Sequence, residues 1–457
     1  SRRQRQMCIR DRDNSSEMKA FADIVGQYLT ETTSGTLSAY NSEKQSYTIS
    51  GLAAGYYLVK DKDDTVSGAD AYTDFILKVV KNTEATPKSD VPTVEKKVQE
   101  DDKYNQDGGY GNGYNDVADW NIGDPVPFKL IGTLPDNLSD YETYQYIFHD
   151  TLSTGLSLNQ DSIHVYMASD KAGTDKTELH GYTVNVPGTE EKGQCSFEVA
   201  FTDLTDSETV DAEVTADKYI IVEYTATLNT SAEIGLPGNP NEVYLEFSNN
   251  PNTGGEGDTG ETPIDKVIVF TYELDVTKVD GEDNNKTLKD AEFKLYDANG
   301  KYVTVDTDGK VTGWADTEDD GSTLKSDENG LFKVIGLDDG TYWLKETKAP
   351  DGYNLITEPI KIVIDAATVN DQQWEATELP QDALTALRIE VTVGGKTTSG
   401  DGNTETGIVD TNVENNQGAE LPETGGMGTV IFYVLGAILV LGAGVLLIAR
   451  KRTDSEK

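Results

Sequence analysis

Leu274-Asp-Val276-Thr-Lys278 alternates apolar and polar side chains, which predicts a strand with one face in a core. Val94-Glu-Lys96-Lys-Val98 repeats the pattern earlier in the chain. In both stretches a lysine occupies a position that the alternation assigns to the core. Because burying an ammonium group is costly, Lys96 and Lys278 must each be neutral or paired. A neutral ε-amine is a nucleophile, so the two stretches predict buried, reactive lysines.

Similar short runs, separated by clusters of Gly, Asn and Asp, predict an all-β chain built from tandem β-sandwich domains. The clearest runs are residues 128–130, 220–225, 243–247 and 267–272. One convincing soluble helix is predicted, at residues 17–29. A length of 457 residues with 36% hydrophobic content suits two to four domains.

A weak internal repeat helps to place the domains. Gly51-Leu-Ala-Ala-Gly55 parallels Gly336-Leu-Asp-Asp-Gly340, and an acidic residue follows the second glycine by six positions in each copy, Asp61 and Glu346. The repeat predicts two domains of one type on either side of a different one. With a polar, proline-containing hinge at 83–92, the predicted domains are residues 13–88, 89–272 and 273–420.

The C-terminus has a pentapeptide, Leu421-Pro422-Glu423-Thr424-Gly425, followed by an uncharged apolar stretch and a basic tail within residues 426–457. Apolar residues 427–449 are long enough to span a bilayer as a helix, and the basic residues keep that end in the cytoplasm. Everything before Leu421 is then outside the cell. A single-pass membrane protein with a chance pentapeptide is the alternative.

This order of pentapeptide, helix and basic tail resembles the cell-wall sorting signal of Gram-positive surface proteins. The resemblance implies that a sortase cleaves the bond between Thr424 and Gly425 and that the chain is finally attached to peptidoglycan at the cell wall. The helix would then be a transient membrane anchor.

Charge and cysteine content restrict the other function classes. A formal net charge of −43 and a pI near 4.2 argue against nucleic acid or anionic lipid as a partner. The two cysteines, Cys8 and Cys195, cannot supply a disulfide framework. Cys195 begins an alternating stretch to Phe201 and is predicted to be a buried core residue. Residues 1–12 resemble the translation of a sequencing adapter, so we expect the natural start, with its signal peptide, to be missing.

No metal or cofactor site is predicted. His149, His164 and His180 lack ligand spacing and have no Ser or Cys partner in view. The acidic run that begins at Asp306 suggests calcium, but Lys310 occupies the fifth loop position and the EF-hand pattern fails.

Partners for the buried lysine of the third domain follow from the same alternation. Tyr342-Trp-Leu344-Lys-Glu346 places Glu346 on the inward face, and Thr411-Asn-Val413-Glu-Asn415 places Asn415 at the end of the last strand. A lysine, a carboxyl and an asparagine on one inward surface could form an amide. The amine would attack the side-chain amide, the protonated carboxyl would relay protons, and ammonia would leave.

Lys278, the 342–353 box (YWLKETKAPDGY) and Asn415 resemble the B-type Ig-like domain of collagen adhesins and pilins. The resemblance implies an intramolecular isopeptide bond from Lys278 to Asn415, assisted by Glu346. It covers the third domain, from residue 273 to residue 420. The first domain retains Asp61 at the equivalent of Glu346 but shows no matching lysine, so its own bond stays undecided.

The middle domain is similar to the fimbrial isopeptide D2 type, which implies a second bond. Lys96 would be the amine, and Asp150 of Asp150-Thr-Leu-Ser-Thr-Gly-Leu the carboxyl. Asn241 of Asn241-Glu-Val-Tyr-Leu would be the amide, although Asn249 shares its inward parity and stays an alternative. Lys97 adjoins Lys96 but points outward by parity.

A further lysine suggests polymerisation. Phe75-Ile-Leu-Lys-Val-Val, followed by Thr86-Pro-Lys88-Ser-Asp, resembles the pilin motif that backbone pilins carry at the end of their first domain. The resemblance implies that Lys88 receives the Thr424 carbonyl of the next subunit. Thr and Ser stand where the motif has Tyr and Asn, and an insertion of five residues, Lys81 to Ala85, separates the strand from the Thr-Pro-Lys segment.

These patterns predict a non-enzymatic backbone subunit of a covalent surface pilus whose internal bonds tie first strands to last strands. The implied partners are pilus-specific and housekeeping sortases, further copies joined head to tail, minor pilins and peptidoglycan. A wall-anchored adhesin that binds a host or matrix ligand without polymerising is the alternative.

Overall fold

A computed structural model describes residues 36–38, 41, 48–61, 66, 68–72, 74–79, 90–101, 108–186, 195–251, 257–369, 374 and 380–418. The predicted helix at 17–29 lies outside the described residues. Among them, no helix is long and apolar enough to cross a membrane. The predicted span, residues 427–449, also lies outside the described part of the chain.

The N-terminal part contains two antiparallel strand pairs. Strands β1 (Thr36–Leu37) and β2 (Ile49–Ser50) form one, and β3 (Gly55–Lys60) and β4 (Asp74–Val79) form the other. β3 begins at the second glycine of the repeat, as does the later strand Gly340–Lys348. Both first glycines, Gly51 and Gly336, have positive φ, a conformation that glycine adopts without strain. The repeat is thus a repeated turn and strand.

The middle part forms two sheets of seven described strands, here called sheets I and II. Sheet I contains β5 (Val94–Gln99), β6 (Tyr114–Asn115), β8 (Pro125–Gly132), β10 (Leu156–Leu158), β11 (His164–Ala168), β12 (Thr177–Glu178) and β15 (Tyr219–Leu228). Sheet II contains β7 (Val117–Asp119), β9 (Tyr146–Leu152), β13 (Thr183–Asn185), β14 (Phe197–Phe201), β16 (Asn239–Ser248), β17 (Thr259–Glu261) and β18 (Asp265–Phe270).

Sheets I and II face each other and enclose an aromatic core. Tyr224 of sheet I meets Phe197 of sheet II edge to face, with ring centroids 5.0 Å apart. β14 alternates fully buried and partly buried residues, as period-2 patterning requires. We call this pair of sheets the middle sandwich. Its helices are short: α1 (Ser207–Val210) and the 3₁₀ turns Leu138–Asp140 and Gln160–Ser162.

The C-terminal part pairs a three-stranded sheet III with an eight-stranded sheet IV, counted over the described strands. Sheet III contains β19 (Tyr272–Asp280), β24 (Leu331–Leu337) and β29 (Ile408–Asn415). Sheet IV contains β20 (Glu292–Asp297), β21 (Tyr302–Val305), β22 (Val311–Ala315), β23 (Leu324–Lys325), β25 (Gly340–Lys348), β26 (Ile360–Thr368), β27 (Leu384–Val393) and β28 (Lys396–Asp401). Phe293 and Phe332 join the two sheets at 5.2 Å, forming the C-terminal sandwich.

The all-β prediction is confirmed, and two details of the strand predictions are corrected. The run 267–272 is not one strand: β18 ends at Phe270, and Tyr272 begins β19 in a different sheet. Cys195 lies before β14 and is only partly buried, so it is not a core residue. In both cases the alternation of apolar residues in the sequence extends beyond one end of the strand.

The two sandwiches contact each other through backbone and side-chain hydrogen bonds. Ile122 N donates to the carbonyl oxygen of Gly336 at 2.9 Å, and Leu236 N donates to that of Thr404 at 3.0 Å. The Tyr272 hydroxyl donates to Asp119 Oδ2 at 2.9 Å in a buried setting. A single residue separates β18 from β19, and these hydrogen bonds add further links between the two sandwiches.

Candidate functional site

Lys96 lies on β5 and is completely buried between sheets I and II. Its Nζ donates to Asp150 Oδ2 on β9. It also donates to the Tyr224 hydroxyl at 3.1 Å and to the Glu242 carbonyl oxygen at 3.3 Å. The strands of two different sheets thus bring the amine and the carboxyl into direct contact.

Asn241 completes this middle centre through Tyr224. Its Nδ2 donates to the Tyr224 hydroxyl at 2.8 Å, and that hydroxyl donates to Asp150 Oδ2 at 2.8 Å. The Oδ1 atoms of Asp150 and Asn241 are buried, with no hydrogen-bond partner among the described residues. Buried polar atoms without partners are uncommon and costly, and a role in chemistry is one of the explanations for them.

Burial sets the protonation of the middle centre. It lowers the pKa of Lys96, against the attraction of Asp150, and it raises the pKa of Asp150, against the attraction of Lys96. Both shifts favour the neutral forms. A neutral amine can attack a carbonyl carbon, and a neutral carboxyl can donate a proton to its oxygen.

The structure separates the two asparagines that the sequence left open. Asn249 Nδ2 donates to the carbonyl oxygens of Asp70 at 3.3 Å and Thr259 at 3.1 Å, and neither bond involves Lys96. Asn241 instead shares the Tyr224 hydroxyl with Lys96. The geometry therefore favours Asn241.

Lys97 has the outward parity predicted for it, yet it is buried. Its Nζ pairs with Asp116 and lies 4.6 Å from the ring centroid of Tyr110. The partner carboxyl raises the pKa of Lys97, opposing the effect of burial. Lys97 is therefore held as a charged lysine, whereas burial lowers the pKa of its neighbour Lys96.

The C-terminal centre is built around Lys278 of β19, which is also fully buried. Lys278 Nζ donates to the Val413 carbonyl oxygen at 2.7 Å. Asn415 Nδ2 donates to Glu346 Oε2 at 3.2 Å and to the Asn354 carbonyl oxygen at 2.7 Å. The buried Glu346 Oε1 and Asn415 Oδ1 have no hydrogen-bond partner within the described residues.

Strand register explains why Lys278 and Asn415 meet. β19 and β29 are parallel neighbours in which Lys278 is paired with Val413 and Asp280 with Asn415. Because side chains alternate, Lys278 and Asn415 share one face, offset by two residues. Burial lowers the pKa of Lys278 to about 8 and raises the pKa of Glu346.

One prediction about topology is wrong for the middle sandwich. Lys278 and Asn415 do lie on the first and last strands of the C-terminal sandwich. Asn241, however, lies on β16, and β17 and β18 follow it. The long connections of the sheet let an earlier strand supply the asparagine.

Sequence reasoning also missed Tyr224. It connects all three members of the middle centre, and burial holds its pKa well above the ordinary value. The available signal was that Tyr224 falls on the inward face of the run 220–225, among apolar residues. A tyrosine at such a position is otherwise ordinary core, so the pattern alone did not mark it.

A second group was also missed. His149 does have a thiol partner, since Cys195 Sγ lies 3.6 Å from its Nδ1. Partial burial and the nearby Glu198 raise the pKa of the Cys195 thiol to about 11. A raised pKa disfavours the thiolate, which is the nucleophilic form of cysteine.

Several predicted site residues lie outside the described part of the chain. They are Lys88 and the sorting residues Leu421, Pro422, Glu423, Thr424 and Gly425. Asp61 is described, directly after β3.

Comparisons with known proteins match two segments to family models. A prealbumin-like SpaA domain matches residues 272–378, and an LPXTG cell wall anchor motif matches residues 413–455. The first includes Lys278 and Glu346, and the second includes Asn415 and the pentapeptide. The predicted location at the cell wall is confirmed.

Two curated relatives are pilus or surface proteins. The trypsin-resistant surface T6 protein of Streptococcus pyogenes serotype M6 is 24% identical over 383 residues, which are 72% of this chain and 65% of that protein. Fimbrial subunit type 1 of Actinomyces viscosus is 32% identical over 129 residues, which are 28% of this chain and 18% of that protein. The chain thus spans just under two thirds of the first relative's length.

Among solved structures, the T6 backbone pilin of serotype M6 Streptococcus pyogenes aligns with a TM-score of 0.50 at 20% identity. The alignment covers 88% of each chain, and that structure is described as a modular three-domain pilin. At this identity the match speaks for the fold. The predicted resemblance to sortase-assembled Gram-positive pilins is confirmed by the two family models and the curated relatives.

Proposed function

We propose that this chain is the backbone subunit of a covalently polymerised surface pilus, strengthened by two internal isopeptide bonds. The observation that carries the proposal is the pair of buried lysine centres, each with a carboxyl and an asparagine around one fully buried amine. An ordinary sandwich core gains nothing from a buried lysine, because desolvation of the ammonium opposes folding.

Each bond forms by the same balanced step. The neutral lysine Nζ attacks the asparagine Cγ, so that a new C–N amide bond forms and the old bond to the side-chain nitrogen breaks. The carboxyl, Asp150 or Glu346, protonates the carbonyl oxygen and later passes a proton to the departing nitrogen. Ammonia is the only product released, and each centre reacts once on its own chain. The protein is therefore structural and not an enzyme.

The proposed bonds explain how the shaft could bear load. Lys278 lies 135 residues before Val413, so a bond from Lys278 to nearby Asn415 closes nearly the whole C-terminal sandwich. Lys96 and Glu242 are 146 residues apart, and the bond to Asn241 closes most of the middle sandwich. Tension across the C-terminal sandwich would then act on a covalent bond, whereas β17 and β18 of the middle sandwich lie outside its closed loop and stay held by strand hydrogen bonds.

The sequence features outside the described residues supply the intersubunit link. A sortase would cut between Thr424 and Gly425 and transfer the Thr424 carbonyl to Lys88 of the next copy, and the last subunit would be transferred to peptidoglycan. Pilus-specific and housekeeping sortases and minor pilins are the proposed partners. We also propose residues 13–88, 89–272 and 273–420 as the domains of the subunit.

Asn241→Ala is expected to remove one cross-link, since it deletes the carbonyl carbon that Lys96 attacks. Intact mass spectrometry of the variant should show the loss of one ammonia molecule relative to its own sequence, where the wild-type chain shows two. Asn249→Ala is the matched control and should still lose two. A reversed result for the two asparagines would assign the bond to Asn249.

Lys88→Ala is expected to abolish polymerisation, because it removes the amine that accepts the Thr424 carbonyl. Wall extracts of cells producing the variant should lack the ladder of high-mass species on denaturing gels, while the wall-anchored monomer remains. Lys81→Ala, seven positions earlier in the same polar region, is the control and should keep the ladder. An unchanged ladder in the Lys88 variant would instead favour a wall-anchored adhesin or another acceptor lysine.

A further inference from the structure

His149, Cys195 and Glu198 meet on the face of sheet II that points away from Lys96. His149 Nδ1 is 3.6 Å from Cys195 Sγ and 3.3 Å from Glu198 Oε1. The third side of the triangle, from Cys195 Sγ to Glu198 Oε1, measures 3.8 Å. One nitrogen, one sulfur and one oxygen thus face a common point.

The size of this triangle matches one face of a tetrahedral zinc site. Zinc binds sulfur at about 2.3 Å and nitrogen or oxygen at about 2.0 to 2.2 Å, so ligand atoms at tetrahedral angles lie about 3.3 to 3.7 Å apart. The three measured sides are 3.3, 3.6 and 3.8 Å. An ion could therefore sit between the three atoms with almost no movement of the backbone.

The imidazole is oriented as it is in metal sites. His149 Nε2 lies 3.1 Å from Glu246 Oε2, and ligating histidines commonly donate their second ring nitrogen to a carboxylate. The ring also stacks on Tyr244, with centroids 4.4 Å apart and planes 7° apart. Gln145 holds the other oxygen of Glu246 at 3.0 Å. These contacts direct Nδ1 toward the thiol.

Strand pairing creates the cluster. Glu198 on β14 is directly opposite His149 on β9, and Cys195 lies three residues before Glu198. The Glu198 side chain is partly exposed, with 27% accessible, so solvent reaches the edge of the cluster.

We propose that His149 Nδ1, Cys195 Sγ and Glu198 Oε1 bind one zinc-class divalent cation, with water in the fourth position. The mixed nitrogen, sulfur and oxygen donors select a borderline-soft ion, whereas calcium and magnesium require oxygen ligands. Binding would displace the thiol proton and tie β9 to the segment that leads into β14. His149 is adjacent to Asp150, so the ion would brace the outer face of the strand that supplies the cross-linking carboxyl.

The test is Co²⁺ binding by the purified whole chain in detergent under reducing conditions, because Co²⁺ bound by thiolate gives a strong near-ultraviolet charge-transfer band. We expect one equivalent to produce this band and Zn²⁺ to displace it. Cys195→Ser should abolish the band, and His149→Gln should weaken binding at least tenfold. His164→Gln is the matched control, since His164 pairs with Glu178 at 3.2 Å and contacts no thiol among the described residues; it should bind as wild type.

Glu246→Gln keeps the three ligands and tests the site independently, with an expected 10- to 100-fold loss of affinity. Wild-type protein that shows no thiolate band, or a band that survives in Cys195→Ser, would overturn the proposal. The competing arrangement is a His149 ring held by Glu198 and Glu246 alone, which needs no thiol. It predicts no band in any variant.

Discussion

Asp150→Asn is expected to leave Lys96 and Asn241 unjoined and to give the largest loss of stability in the middle sandwich. Asparagine fills the same space but cannot relay a proton, and Lys96 Nζ loses the carboxylate to which it donates. A cross-link that closes a loop of this size stabilises by about 5 kcal/mol in the chain-entropy estimate. We therefore expect the middle transition to fall by about 10 to 20 °C in calorimetry.

For this interpretation to hold, Asp150→Asn must change both the number of ammonia molecules lost and the temperature of the middle transition. The Asp150→Asn chain should lose one ammonia molecule, and the remaining loss should map to the C-terminal centre. Asp116→Asn is the matched control, because it removes the carboxylate that pairs with the buried Lys97, a lysine that belongs to neither proposed cross-link. It should destabilise the sandwich and still lose two ammonia molecules. Loss of two by Asp150→Asn would exclude Asp150 as the proton relay.

Asn415→Ala is expected to free Lys278 as a buried amine and to make stability depend on alkaline pH. The folded pKa of Lys278 is about 8, below its ordinary value of 10.5, because burial disfavours the ammonium form. Between those values the unfolded chain binds more protons than the folded chain, so the free energy of unfolding rises with pH across this window. The slope is at most about 1.4 kcal/mol per pH unit.

The wild-type chain should lack this dependence, because its Lys278 is consumed in an amide and no longer titrates. Asn412→Ala, an exposed position on the same strand β29, is the control and should behave as wild type. Denaturant titrations at pH 7 to 10.5, with the mass of each variant, make the comparison. Equal pH profiles for Asn415→Ala and wild type would mean that Lys278 is unmodified in both.

In the two centres, different contacts hold the lysine, the carboxyl and the asparagine in place. In the middle sandwich a tyrosine hydroxyl joins the amine, the carboxyl and the amide. In the C-terminal sandwich the backbone holds the groups, through Ile356 N to Glu346 Oε2 at 2.7 Å and the Asn354 carbonyl oxygen. The shared requirement is burial, which favours the neutral form of the amine and of the acid in both.

Local alternation was enough to predict the all-β fold and the inward positions of Lys96, Lys278, Glu346 and Asn415. Period-2 patterning is a property of neighbours along the chain, so it can be read directly. The LPETG segment could also be interpreted from sequence alone, because the signal lies in the order of pentapeptide, apolar stretch and basic tail along the chain. These features required no knowledge of how strands pair.

Tertiary structure alone decided which inward groups meet. Asn241 and Asn249 have the same parity, and only the pairing of β16 with β9 and the Tyr224 hydroxyl distinguishes them. His149, Cys195 and Glu198 come together because β14 pairs with β9, which brings Cys195 to a histidine 46 positions earlier in the chain. Local sequence determines which face of a strand a side chain occupies. Its neighbours are determined by strand register and sheet packing, because both depend on contacts between segments that are distant along the chain.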